Sequence, residues 1–320
     1  MKDSNINLAI VMPVYNDWFS AFQLIENIDR LLSDEPINLS IYIVDDASTE
    51  VYSKYKIPEL SVVKNLTVIE ATKNLGHQRA IAIGLCFIGD ENFNDAVIVA
   101  DSDGEDRPED IKRLIDSYIE NKNFIYVGQR VARSENTVFK IFYFFYKKLF
   151  KFLTGKVIDF GNFCLIPKPI LKKLILMPEL WNHTAASIVR SKAPLKRLPT
   201  KRGVRYGGKS TMNLTSLVIH GLCAISVFLD VLLVRMLIGI LFIGLITALA
   251  TIFILFLRVF TELSIPGWAS TMIALAGIVF LQSITFLIIS AFIIFSSRSS
   301  QEQFPREYYK NFIEDKINLL

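Results

Sequence analysis

Four carboxylates stand within six residues in Asp101-Ser102-Asp103-Gly104-Glu105-Asp106, directly after the apolar run Ala96-Val97-Ile98-Val99-Ala100. A turn at this point lets Asp101 and Asp103 converge, with Glu105 close behind. Clustered hard oxygens of this kind suit Mg²⁺ or Mn²⁺, which takes one or two carboxylates and completes its shell with water and substrate phosphate. The same residues also read as a solvated acidic turn ahead of a helix starting near Pro108, and an isolated D-x-D does not separate the two readings. The elements that carry the carboxylates, and the other polar clusters, bear on the choice.

An apolar, largely β-branched run bounded by polar residues has the pattern of a strand buried on both faces, as in a parallel sheet, where ligands gather at the strands' carboxyl ends. Leu8–Tyr15, Ile41–Val44, Leu66–Ile69 and Phe124–Val127 share the pattern. Between them, helical spacing places Phe22, Ile25, Ile28 and Leu32 on one face, and Ile81, Leu85 and Ile88 on another, while Pro108 opens a helix to about Glu120. Asn16 or Asp17 is placed to cap the first helix. Strands alternating with helices predict an α/β, doubly wound, mostly parallel sheet.

Composition adds a second part. The chain has 320 residues, 52% of them hydrophobic, and a mean hydropathy of +0.38. The excess lies late: Met236–Leu257 and Trp268–Phe295 carry no charge. The shorter run makes a helix of about 33 Å, enough for a hydrocarbon core of about 30 Å, so two transmembrane helices are expected. The polar start Met1–Asn7 has no apolar core of a signal peptide, which leads us to expect a cytoplasmic first part. Arg298, Arg306, Lys310 and Lys316 follow the second run, against Arg258 and Glu262 between the runs, so the positive-inside rule places both ends in the cytoplasm. Cys86, Cys164 and Cys223 are odd in number and far apart, which argues against a disulfide framework or a structural zinc site.

The net charge of +4 hides a segregation. Residues 1–137 hold 13 Lys and Arg against 23 Asp and Glu, whereas residues 138–209 hold 16 against 2. A basic stretch just before apolar spans attracts anionic headgroups or a lipid phosphate, and tethering to a membrane argues against nucleic acid as its partner. Within it, Val138–Leu153 mixes aromatic residues with Lys140, Lys147, Lys148 and Lys151 and reads either as an amphipathic helix at the lipid interface or as a buried core helix. Leu214–Val234 reads as a second interface helix.

Val11-Met12-Pro13-Val14-Tyr15-Asn16, Val44-Asp45-Asp46-Ala47-Ser48, Asn74-Leu75-Gly76 and Asp101-Ser102-Asp103, in this order and spacing, resemble the inverting family 2 glycosyltransferases of GT-A fold. Gly128-Gln129-Arg130, Asp159-Phe160-Gly161-Asn162-Phe163 and Arg205-Tyr206-Gly207-Gly208-Lys209-Ser210, followed by two spans, are similar to the polyprenyl-phosphate glycosyltransferases, dolichol-phosphate mannose synthases among them. The resemblance implies transfer of one sugar from a UDP- or GDP-sugar to a polyprenyl phosphate with inversion. It places Pro13, Tyr15, Asn16, Asp45, Asp46, Asn74, Gly76 and Gln78 at the donor, and Asp101, Asp103 and, as a further polar residue, Glu105 at Mg²⁺ or Mn²⁺. Asp159 stands near the reacting sugar. A polyprenyl phosphate has a second pKa of about 6 and is mostly ionised at neutral pH, so it needs positioning more than deprotonation. Arg130, Arg205 and Lys209 are assigned to the phosphates because cations, guanidinium forks above all, match phosphate oxygens; Arg133, Lys201 and Arg202 are weaker candidates. His77 reads as a cap or sugar contact before a general base, and His183 and His220 as structural.

The implied organisation is a GT-A domain over 1–210, a juxtamembrane amphipathic segment over 211–235, two spans over 236–295 and a cytoplasmic tail over 296–320, in an inner-membrane protein. A processive polysaccharide synthase of the same fold and a non-catalytic nucleotide-binding scaffold are the alternatives, and a homo-oligomer is open.

Overall fold

The computed structural model describes residues 6–91, 94–130, 137–207, 214–261, 267–299 and 303–320. In chain order the elements are β1 (Ile6–Val14), α1 (Trp18–Leu31), β2 (Ile37–Asp45), β3 (Val63–Ala71), α2 (His77–Glu91), β4 (Ala96–Val99), α3 (Pro108–Glu120), β5 (Ile125–Arg130) and α4 (Thr137–Thr154). There follow β6 (Cys164–Pro167), α5 (Lys168–Leu174), α6 (Thr184–Ser191), β7 (Leu195–Thr200), α7 (Leu214–Ser226), α8 (Leu229–Phe260), α9 (Trp268–Ser299) and, after short helical turns, β8 (Ile313–Asn318).

The eight strands form one mixed sheet in the order β7-β5-β6-β4-β1-β2-β3-β8. β1 runs parallel to both β2 and β4, and β2 to β3. β6 is antiparallel to β4 and β5, so β5 points the same way as β4. The carboxyl ends of β1, β2, β3, β4 and β5 therefore open on one edge, which is the expected place for a ligand in such a sheet.

Side chains alternate faces along a strand. Leu8, Ile10 and Met12 of β1 pack with Trp18, Leu24 and Ile28 of α1 and with Ile111, Leu114 and Ile115 of α3. Ala9 and Val11 belong to the opposite layer, with Ile81, Leu85 and Ile88 of α2. Both faces are covered, which is why the strands read as unbroken apolar runs. One expectation changes: neither Asn16 nor Asp17 caps α1. Asp17 occupies the cap position without a side-chain hydrogen bond, and the Asn16 side chain is taken up by the loop after β2, as described below.

The last residues are not a separate tail. β8 pairs antiparallel with β3, and Tyr309 is buried in the layer containing α2. Tyr309 donates its hydroxyl to Asp90 at 2.9 Å, and Arg306 reaches the other oxygen of Asp90 at 3.0 Å. The compact unit bearing the sheet therefore includes residues on both sides of α8 and α9, which form a second unit. Leu229–Phe260 and Ser270–Ile293 are long and apolar enough to cross a membrane. In α4, Phe144, Phe145 and Leu149 are exposed, while Phe150 is buried and Tyr146 packs over Gly221 of α7.

Two measurements check this arrangement. Tyr309→Ala should destabilise the sheet domain by about 3 kcal/mol, the cost of deleting a buried aromatic ring, read by denaturant titration in detergent; a loss near zero would mean that β8 is not docked. Because β1 and β8 share a sheet, reporters fused at Met1 and after Leu320 should label the same side of the membrane, and opposite labels would break the hairpin topology.

Candidate active site

Asn16 leaves β1 with φ +54 and Ala47 leaves β2 with φ +57, both in the left-handed region that turns a chain sharply. Asn16 Oδ1 accepts the N–H groups of Thr49 at 2.9 Å and Glu50 at 3.0 Å, and its own N–H donates to Ser48 Oγ at 2.9 Å. Asp45 Oδ1 accepts the N–H of Ser48 at 3.0 Å. Both oxygens of Asp46 accept backbone N–H groups from the loop after β3, Leu75 at 2.6 Å and Gly76 at 2.9 Å. Ser102 Oγ donates to the carbonyl of Pro13 at 3.0 Å. These side chains brace four loops at one edge. Tyr15 stays half exposed there, and Asn74 is exposed, whereas Gln78 is turned away, its Oε1 accepting the N–H of Thr184 at 2.8 Å.

The four carboxylates follow β4 in a tight turn through Gly104, at φ +84. Asp103 Oδ1 accepts the N–H of Glu105 at 2.8 Å, and Asp106 Oδ2 that of Asp101 at 3.0 Å. Burial, then the charge of Asp101, raises the carboxyl pKa of Asp103 to about 6 and that of Asp106 to about 7. Such crowding calls for cations, and three arginines supply them. Arg205 reaches Asp103 Oδ2 at 2.5 Å and Glu105 Oε1 at 3.4 Å; Arg202 reaches Glu105 Oε1 at 2.6 Å; Arg130, at the end of β5, faces Glu105 at 3.6 Å and Asp106 at 3.5 Å. Burial would raise the pKa of Glu105, but these arginines outweigh it and hold it below the usual range.

The arginines are delivered by residues 202–206, which run back across the turn. Gly203 N–H donates to the carbonyl of Glu105 at 2.8 Å and Tyr206 N–H to that of Asp103 at 3.1 Å. The Tyr206 ring covers Gly104, and a side chain at Gly203 would stand 2.3 Å from the Gly104 oxygen. Nearby, Asp159 accepts Gln129 Nε2 at 2.8 Å and Arg197 Nε at 3.0 Å. His77 Nε2 lies 3.2 Å from Asp101 Oδ1 and 3.1 Å from the Asn162 amide. Burial opposes its charge, but Asp101 outweighs burial and raises its pKa.

Most of the candidates from the sequence thus meet at one edge. Lys209 and Arg133 lie outside the described residues. Arg202, a weaker candidate, sits on Glu105; Gln129 and Asn162 stand in the quoted motifs without a role of their own, and no motif contains Arg197. Among the described residues no three acidic, histidine or cysteine side chains form a ready metal cluster. The donor set fits a cation shared with a substrate phosphate: Asp101 Oδ1 is buried and accepts no well-aligned hydrogen bond, and one or two carboxylates are what Mg²⁺ uses beside phosphate. Arginines pair with Asp103 as well as with Glu105.

A sheet of this order, with carboxylates at the end of β4 and cations folded over them, defines the GT-A class of sugar-transferring fold. The glycosyl transferase family 2 model matches residues 9–175, just over half of the chain, and the chain belongs to that family. It is 26% identical over 283 residues to the uncharacterised glycosyltransferase YkcC of Bacillus subtilis strain 168, covering 84% of this chain and 83% of that protein. It is 27% identical over 178 residues to the bactoprenol glucosyl transferase of Shigella phage SfX, covering 54% of this chain and 56% of that one. A third relative, the uncharacterised glycosyltransferase sll0501 of Synechocystis, is likewise matched over 54% of its length, so the chain spans about half of these last two relatives. Among solved structures, glucosyl-3-phosphoglycerate synthase of Mycobacterium tuberculosis, in complex with Mn²⁺, UDP and glucosyl-3-phosphoglycerate, superposes with a TM-score of 0.50 at 12% identity, over 71% of this chain and 80% of that one. That likeness concerns the fold. Beyond the matched segment, two of its helices are long and apolar enough to span a membrane.

The close approach at Gly203 makes a direct test. Gly203→Ala must push residues 202–206 off the acidic turn and carry Arg202 and Arg205 with them, and misplacing catalytic groups by about 1 Å costs about a hundredfold in kcat/KM. A kinetic comparison with wild type that found less than a threefold change would show that this contact does not order the site.

Proposed function

We propose that the chain moves one sugar from a UDP- or GDP-sugar to a polyprenyl phosphate at the cytoplasmic face of the inner membrane, with inversion at the anomeric carbon. The observation that carries the reading is the trio Arg130, Arg202 and Arg205 gathered over the acidic turn, in a chain that goes on, after α7, into two long apolar helices. The name of the phage relative, a bactoprenol glucosyl transferase, supports the acceptor, and the UDP-bound structural neighbour supports the donor.

In this reading Asp101 and Asp103 hold Mg²⁺ or Mn²⁺, which supplies charge neutralisation on the departing diphosphate. The braced loops after β1, β2 and β3 form the nucleotide cradle, with Tyr15 at the base. An oxygen of the ionised acceptor phosphate attacks the anomeric carbon; the bond to the nucleotide diphosphate breaks, and its electron pair leaves with the diphosphate. Arg130 and Arg205 grip phosphate oxygens bidentately. Lys209 is proposed as a further phosphate contact. Asp159, held by Gln129 and Arg197, orients sugar or acceptor; an already ionised nucleophile requires no base. The exposed aromatic and lysine residues of α4 suit a headgroup region.

The test is a screen of UDP- and GDP-sugars for transfer to a short-chain polyprenyl phosphate, in detergent, with Mg²⁺ or Mn²⁺ and with chelator. Chelator should abolish transfer and added metal restore it. Asp103→Asn should lower transfer by at least about a hundredfold with folding retained, and near-normal activity would remove the pair of carboxylates from the mechanism. Arg205→Gln removes a charge-assisted contact of about 1.5–3 kcal/mol and should cost one to two orders of magnitude in kcat/KM; a change below threefold would make Arg205 a structural counter-ion alone.

A further inference from the structure

The chain contains three histidines: His77 faces Asp101, and His183 meets His220. His183 precedes α6 and its Nδ1 accepts the N–H of Ala186 at 3.3 Å. A ring nitrogen that accepts carries no proton, so neutral His183 bears its proton on Nε2. That atom lies 3.1 Å from Nε2 of His220 on α7, and donates to it. Burial, reinforced by the facing His220, takes the pKa of His183 down to about 3, and burial lowers that of His220 as well. The pair is thus a neutral N–H···N hydrogen bond with both tautomers assigned.

The path continues into the site. Thr184, next to His183, gives its N–H to Gln78 Oε1 at 2.8 Å. Gln78 follows His77 in the first turn of α2, and His77 faces Asp101 at 3.2 Å. Three contacts therefore connect α7 with the first carboxylate after β4. Along the way Thr184 Oγ1 and Gln78 Nε2 are buried without a hydrogen-bond partner among the described residues. Interiors rarely retain such atoms unless the arrangement serves something other than packing. Replacing the acceptor at His220 strands the Nε2–H of His183; to find water the ring must turn, which gives up the Ala186 cap and frees the first turn of α6, where Gln78 is anchored.

We propose that His220 is a positioning residue for sugar transfer: through His183 and Gln78 it holds the first turn of α2, and with it His77, against Asp101. The inference rests on the reading that Asp101 serves the donor diphosphate.

The experiment compares His220→Leu, which keeps bulk and removes the acceptor, with His220→Gln, whose Oε1 restores an acceptor near the place of Nε2. Full-length protein in detergent is assayed for kcat and donor KM, for Tm, and by calorimetry for binding of Mn²⁺ with UDP or with GDP. His220→Leu should lower kcat about tenfold, and weaken nucleotide binding at least about threefold, while His220→Gln stays within about threefold of wild type on both. Tm should move by less than about 3 °C in either variant. A Leu variant within twofold of wild type in kcat and binding overturns the proposal, as does a Gln variant as impaired as Leu. Should His220→Leu fail to fold, Gln78→Leu interrupts the same path at Thr184 and is read by the same criteria. A wild-type chain inactive on every polyprenyl phosphate would refute the acceptor assignment, and the calorimetric arm would still decide the relay.

Discussion

Crowding of negative charge at the carboxyl end of β4 is the constraint to which the rest of the site answers. Asp101, Asp103, Glu105 and Asp106 share one turn, and burial with mutual repulsion pushes two of them toward the neutral range. Arg130, Arg202 and Arg205 keep the turn folded in the free protein. The segregation of charge along the sequence acquires a meaning here: the acidic first part and the basic stretch that follows it meet face to face at this edge. The carboxylates and the guanidinium groups hold one another, so the turn and residues 202–206 are fixed together.

Around that centre most polar side chains act on protein before they act on ligand. Asn16, Asp45, Asp46 and Ser102 spend their hydrogen bonds on loop N–H groups and a loop carbonyl. Loops stiffened in this way have little conformational entropy left to lose, which is the physical case for preorganisation. Asp159 follows the same logic: Gln129 and Arg197 restrain its carboxylate.

The strands β1, β2 and β4 were legible because a sheet covered on both faces writes itself as unbroken apolar runs, and the acidic turn because its spacing is compressed into six residues. The partner of Glu105 was not legible: Arg202 lies 97 positions away, and only the pairing of residues 202–206 with the turn brings it back. Asn16 was ambiguous by nature, since the same short amide caps helices and tolerates a left-handed φ. β8, Ile-Glu-Asp-Lys-Ile-Asn, is an edge strand with two apolar residues in six, too polar to separate from a solvated tail. The His183–His220 contact joins two elements whose sequences give no sign of one another.

That edge strand sets an order of events in the making of the protein. β3 is synthesised well over two hundred residues before its neighbour β8, and everything between, including both long apolar helices, must leave the ribosome first. Domains generally fold as units during synthesis, but this sheet keeps one edge bare until the apolar helices have been synthesised. Completion of the sheet therefore requires synthesis through β8, and a chain halted within those helices keeps an unpaired β3 edge open to aggregation or proteolysis.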